Sequence, residues 1–296
     1  MYFFLIKNAQ NYDDSNFPDK DRIPIGKGKY GVIYTAYSKK DYKQLSIKVI
    51  DVDKMKIDYK NKGFKEESYK NGFDNEIKIL NSLSNFENSV KYYGYYDVGN
   101  QKKIILEKCD EDLKKFMLKK NKSLTVEEIK IILIGLNKVF EEMQRQGIIH
   151  RDLKLENFLI KYKDENKKDF IVKLSDYGIA KYASQQTSSI SELKATPETV
   201  APEILLPNFK GYNSLVDIFS LGVILYQLSH NLNHPFCSNM TIYHNYSEYF
   251  DNDNFKLEFD SSIKNEDFKD LLRKMLRLNP KNRLSWEEYF KHPFNK

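Results

Sequence analysis

Cysteine is almost missing from this chain: 296 residues hold only Cys109 and Cys237. The two lie far apart and form no Cys-x-x-Cys pair, which excludes a disulfide framework or a thiolate zinc site and points to a reducing compartment. Long apolar runs are also missing. Nowhere do about 18 apolar residues follow one another, so no membrane-spanning helix is expected. The apolar opening from Tyr2 to Ile6 is shorter than the roughly 7–15 residues of a signal-peptide core. It lacks a basic leader and runs into Lys7, Asn8 and Gln10, and it reads as a strand or packing segment. No block of one charge sign occurs. Against 42 acidic residues stand 48 basic ones, a net charge of +6, with lysines scattered among the acids. That pattern reads as a solvated surface rather than a nucleic-acid-binding stripe. A cytoplasmic monomer without nucleic-acid or membrane partners is the expectation.

What is present describes a folded globular protein. Hydrophobic residues make up 41% and charged residues 30%, and 21 Tyr and 19 Phe are spread along the chain. The length allows one large core or two modest ones. From Ile23 to about Leu106 the pattern is β-rich, with short runs at 31–34, 45–50 and 104–106 and one helical stretch near Glu76 to Leu83. From about Val126 onward helical spacing dominates, at Ile129, Ile132, Leu133, Leu136, Val139, Phe140 and Met143, and again in 216–228 and 268–278. The polar connection Lys108 to Asp112 is where a cofactor cleft is expected. The fold class expected is α+β, as a 1–22 extension, a β-rich lobe over 23–107 with one main helix, a 108–112 hinge and a larger helical lobe over 113–296. Two Asn- and Lys-rich stretches, 54–71 and 161–168, read as surface insertions.

Chemistry enters with Gly26, Gly28 and Gly31, spaced G-x-G-x-x-G. Alone the spacing also suits a dinucleotide fold or an ordinary hairpin. The β-formers Val32, Ile33 and Tyr34 that follow favour a strand–turn–strand flap whose backbone N–H groups can approach phosphates. Lys48 ends the apolar run Leu45-Ser46-Ile47, where an ammonium is costly unless it meets anions. Glu76 lies on a helix within reach of Lys48, with Glu66 or Glu67 as the alternative partner. Then come His150-Arg151-Asp152-Leu153-Lys154-Leu155-Glu156-Asn157, Asp176-Tyr177-Gly178, Ala201-Pro202-Glu203, Asp217 and Arg283.

This ordered set resembles the eukaryotic protein kinase family, serine/threonine branch, over about residues 23–294. The resemblance implies transfer of the ATP γ-phosphoryl group to protein hydroxyls with magnesium, through a two-lobed fold. It assigns Lys48, held by Glu76, to the α- and β-phosphates, and Asn157 and Asp176 to two Mg²⁺ ions. Asp152 orients the substrate hydroxyl and Lys154 steadies the transferred group. Val32 and Leu159 sandwich adenine, Leu106 limits the pocket behind it, Glu107 and Cys109 offer hinge backbone groups, and Asp112 contacts ribose. Leu80, Tyr92, His150 and Tyr177 form a spine anchored by Asp217, and Glu203 pairs with Arg283.

Lys154 and Thr196 match the serine/threonine branch. Glu156 resembles an acid that reads a basic residue upstream of the phosphoacceptor, although Gln227 stands where a second acid is expected, so basic protein substrates are one reading. The flavour is nearest the calcium/calmodulin-dependent group. No calmodulin-binding tail follows Lys296 and no EF-hand loop occurs, so calcium control is expected to come from elsewhere. Departures are Ser46 for Ala, Tyr177 for Phe and Ala195 for Gly. Glu192 occupies the position that commonly carries an activating phosphate, with Ser191, Ser189, Ser188 or Thr187 as alternatives. A nucleotide-binding pseudokinase acting as a scaffold is the alternative function; Lys48, Asp152, Asn157 and Asp176, the residues such proteins lose, are all present. A small-molecule kinase of similar fold is disfavoured by the intact 201–203 segment.

Overall fold

The computed structural model describes residues 12–28, 30–61, 63, 67–185, 198–205, 211–236 and 256–296. The chain divides into two compact units, Met1–Asp110 and Glu111–Lys296. The first is built on an antiparallel sheet and the second is mostly helical, in keeping with the expected α+β class.

In the first unit, β1 (Ile23–Gly28), β2 (Gly31–Ser38), β3 (Lys43–Asp51), β4 (Tyr92–Val98) and β5 (Gln101–Glu107) form one sheet in the order β1-β2-β3-β5-β4. Side chains of a strand alternate between faces, and β3 uses this. Leu45 and Ile47 join Phe17, Ala36, Tyr96 and Ile105 in a buried cluster on one face, with Val49 packed against it. Ser46 and Lys48 are therefore left to the opposite face. Helix α2 (Glu67–Leu83) buries Phe73, Ile77 and Leu80 at helical spacing, together with Ile79 and Leu83.

One part of this unit differs from the sequence reading. The stretch read as an insertion from residue 54 is helical over much of its length. Helix α1 (Val52–Asn61) buries Met55, and the Asp58 carboxylate accepts the Tyr30 hydroxyl at 2.7 Å. Residues 67–71 form the start of α2. Residues 12–22 are bound into the sheet: Phe17 is fully buried and stacked on Tyr96, and Asp14 accepts from Lys103 Nζ at 2.7 Å.

In the second unit, β6 (Glu111–Asp112) leads into α3 (Leu113–Lys120), and α4 (Val126–Gln146) follows. Helix α4 starts at a reciprocal cap between Thr125 and Glu128 and stops at Gly147, whose φ of 67° is left-handed. All seven of its expected apolar positions, from Ile129 to Met143, are buried. Next come β7 (Ile148–Ile149), β8 (Phe158–Tyr162), β9 (Phe170–Leu174), β10 (Lys181–Tyr182) and the short α5 (Pro202–Leu205). The last helices are α6 (Leu215–Ser229), α7 (Glu266–Met275) and α8 (Trp286–Lys291). Strands order as β6-β8-β9, with β10 paired to β7. Helix α6 is apolar nearly all round and almost wholly buried, Asp217 included. Among the described residues no helix is long and apolar enough to cross a membrane.

Candidate active site

In the first unit the G-x-G-x-x-G residues lie in the β1–β2 hairpin, with Gly28 opposite Gly31, Lys27 opposite Val32 and Gly26 opposite Ile33. A hairpin, not a turn into a helix, carries the motif. Gly31 is required by packing, since a Cβ there would stand 1.8 Å from the Val49 carbonyl oxygen. Gly26 and Gly28 have no such constraint; a Cβ on either meets nothing nearer than 3.8 Å.

Lys48 sits in the middle of the sheet, opposite Ile33 on β2 and Ile104 on β5. Its ammonium lies 2.6 Å from Glu76 Oε1, with the side chains 16% and 6% exposed. A cation set among apolar strand neighbours needs a carboxylate, and α2 delivers one from the face that also buries Phe73 and Leu80. Glu66 and the side chain of Glu67, the alternative partners, lie outside the described residues. Leu106 and Glu107 end β5, where Leu106 pairs with Tyr92 and Ser46, and Glu107 N donates to Lys91 O at 2.8 Å. The Cys109 side chain is half-buried. Leu80 and Tyr92 are buried.

In the second unit the loop between β7 and β8 carries Asp152, Lys154 and Asn157. Leu153 and Leu155 are buried, while Asp152, Lys154 and Glu156, which alternate with them, are partly exposed. Lys154 Nζ donates to Asp152 Oδ2 at 2.7 Å. The Asn157 amide donates to the same oxygen at 3.1 Å and to the Asp152 carbonyl at 2.7 Å, so its side-chain hydrogen bonds use the nitrogen and not the oxygen. Leu159 is half-buried on β8 opposite Lys173. Asp112, on β6, caps α3 by accepting from Lys115 N at 2.8 Å and pairs with Lys115 Nζ at 3.0 Å.

Arg151 holds a left-handed φ of 68°, a conformation that strains a residue with a side chain. Asp217 holds it there. Its fully buried carboxylate accepts the backbone N–H of His150 at 2.7 Å and that of Arg151 at 2.8 Å. Burial pushes this carboxyl up, while His150 and the two backbone donors oppose the shift. Asp176 is also left-handed, with φ 61°, and exposed, while the next residue, Tyr177, is fully buried against the His150 ring at 5.2 Å.

Three contributors escaped the sequence reading. Ser175 joins Asp176 to the loop: its N–H and hydroxyl both donate to Asn157 O, and its carbonyl meets His150 Nε2 at 3.1 Å. Its place next to Asp176 was the available signal. Tyr212 accepts from Arg151 Nη1 at 2.7 Å, and Arg151 Nη2 donates to Ile179 O. Lys114 pairs with Glu156 at 2.6 Å. Neither Tyr212 nor Lys114 carries a local signal. The candidates for regulation, Thr187, Ser188, Ser189, Ser191 and Glu192, lie outside the described residues, as do Ala195, Thr196 and Cys237.

A family model described as "Protein kinase domain" matches residues 20–295. The chain belongs to the protein kinase family. This kinase domain is 30% identical over 299 residues to the DNA damage response protein kinase DUN1 of Saccharomyces cerevisiae, covering 91% of this chain and 53% of that protein. It is 31% identical over 295 residues to calcium-dependent protein kinase 12 of Arabidopsis thaliana, covering 97% and 54%. To the serine/threonine-protein kinase cds1 of Schizosaccharomyces pombe it is 29% identical over 277 residues, covering 91% and 56%. The kinase domain thus spans about half the length of these relatives.

Proposed function

We propose that this kinase domain transfers the terminal phosphoryl group of ATP to serine and threonine hydroxyls of proteins. The observation that carries the reading is the arrangement at Asp152, where Lys154 and Asn157 both reach one carboxylate oxygen, at 2.7 and 3.1 Å. Phosphoryl transfer asks for orientation and charge neutralisation more than for covalent help.

In this reading Asp152 orients the substrate hydroxyl and takes its proton, while Lys154 offsets charge on the transferred group. Lys48, fixed by Glu76, holds the α- and β-phosphates. Gly26 and Gly28 fit a close ligand approach, because packing within the sheet leaves both positions open to a larger residue. The resemblance assigns adenine contacts to Val32, Leu106 and the backbone groups of Glu107 and Cys109 in the first unit, and to Leu159 in the second. Asp112 reaches ribose only by sharing a carboxylate that already caps α3.

Asn157 and Asp176 would hold magnesium. Their donors are an amide oxygen and a carboxylate, the hard oxygens this ion takes. No group of three or more His, Cys, Asp or Glu residues suited to a metal occurs among the described residues. A two-donor set suits an ion that fills its shell with waters and substrate phosphates. When bound, the ion neutralises phosphate charge.

We further infer a cytoplasmic monomer, in line with the two cysteines and the mixed surface charge. The test is transfer of radiolabelled phosphate to a protein substrate by the full chain with Mg²⁺-ATP. Asp152→Asn and Asp176→Asn should each lose nearly all transfer while the thermal unfolding midpoint stays put. Wild-type kcat in both variants would overturn the reading.

A further inference from the structure

Lys114 occupies the first turn of α3, a turn that contains no acidic residue. A cation there opposes the helix macrodipole, so helix stability does not explain its placement. Its partner comes from another element. The ammonium lies 2.6 Å from Oε1 of Glu156, on the loop of Asp152, with the side chains 48% and 40% exposed. The Lys114 ammonium is held above the ordinary lysine range, first by that hydrogen bond, and further by the charges of Glu156, Glu198 and Asp112. Glu156 is the carboxylate in contact with this exposed cation.

The Glu156 side chain is 40% exposed. Its neighbour Asn157 touches Asp152 directly. An extended peptide advances about 3.3 Å per residue, so a side chain two or three positions before the phosphoacceptor can reach Glu156 from a hydroxyl held at Asp152. Any basic side chain arriving there finds the carboxylate already paired.

We propose that Lys114 is a specificity-determining residue: it stands in for a substrate's basic side chain at Glu156, so that neutral and acidic residues are accepted at that subsite alongside basic ones. The inference rests on the phosphotransfer reading and adds a substrate class to it. The basic preference expected from Glu156 alone emerges only when Lys114 is displaced. Because the pair is exposed, its strength is that of a surface ion pair, and the effect is bounded at about three- to fivefold.

The test uses the full chain, Mg²⁺-ATP and three serine peptides identical except for Arg, Ala or Glu at the second and third positions before the serine. Lys114→Met should raise the Arg-over-Ala ratio of kcat/KM by about three- to fivefold and Lys114→Glu by more, because the latter adds a carboxylate. Adding Glu156→Gln to Lys114→Met should return the ratio to the wild-type value. The gain should fall on KM for the peptide, with KM for ATP unchanged. An unchanged Arg-over-Ala ratio in Lys114→Met, with the wild type active on the peptides, overturns this inference and leaves the phosphotransfer reading standing. Transfer to none of the peptides by any variant overturns both.

Discussion

Arg283 grips Glu203 through both terminal nitrogens, Nη1 to Oε1 at 2.7 Å and Nη2 to Oε2 at 2.9 Å, with the two side chains 0% and 2% exposed. The remaining guanidinium donors meet the carbonyls of Leu215, Leu278 and Arg277, and its face lies over Phe219. A buried pair this well satisfied is costly to break from one side. Glu203→Ala leaves the cation without its anion and should destabilise the fold by about 3–5 kcal/mol. Urea unfolding checks this: the midpoint should fall with little change in slope. A midpoint within error of the wild type would show that the carbonyls alone satisfy Arg283.

The pair of Lys48 and Glu76 should matter to activity rather than to folding. Lys48→Met should lose most transfer, and Glu76→Gln should lower kcat/KM by about a hundredfold through a misplaced ammonium. Glu67→Gln should lose less than Glu76→Gln. Steady-state kinetics beside thermal melting separates the two effects, and the opposite ranking of the glutamates would reject Glu76 as the working partner.

Asp14 gives the first unit a pH dependence. Desolvation pushes its carboxyl up, but hydrogen bonds from Lys103 and Tyr96 and the charges of Lys103 and Arg22 outweigh that, and it lies below the ordinary aspartate range. Lys103 is 4% exposed, and Asp14 is its carboxylate partner among the described residues. A depressed carboxyl contributes stability that is complete above its unfolded pKa, about 4, and lost as pH falls through the folded value. Asp14 itself is 41% exposed, so solvent screening limits the loss in Asp14→Asn to about 0.2–1 kcal/mol at neutral pH. Denaturation curves of the two proteins should converge as pH drops below about 4. A difference that persists unchanged at pH 2 would assign the loss to packing instead.

Legibility followed distance along the chain. The loop at Asp152 was readable because its chemistry is written in one short stretch, in alternation with Leu153 and Leu155. Helix α4 was readable because seven apolar positions repeat at helical spacing and its caps are local. The Lys103–Asp14 pair joins residues 89 apart, and the Lys114–Glu156 pair joins residues 42 apart. Each of these lysines looks in sequence like any solvated one. Helix α1 was hidden by composition: its Lys- and Asp-rich surface masks the one position, Met55, that is buried.

Phe17 lies outside the residues matched by the family model, which begins at residue 20, and still it is part of the foundation of Lys48. It packs with Leu45 and Ile47 on the underside of β3, and a strand is only one residue thick. Ser46 and Lys48 stand on the upper side of that same strand. Substitutions in residues 12–22 thus act on the ammonium from beneath, without touching anything that resembles a catalytic motif.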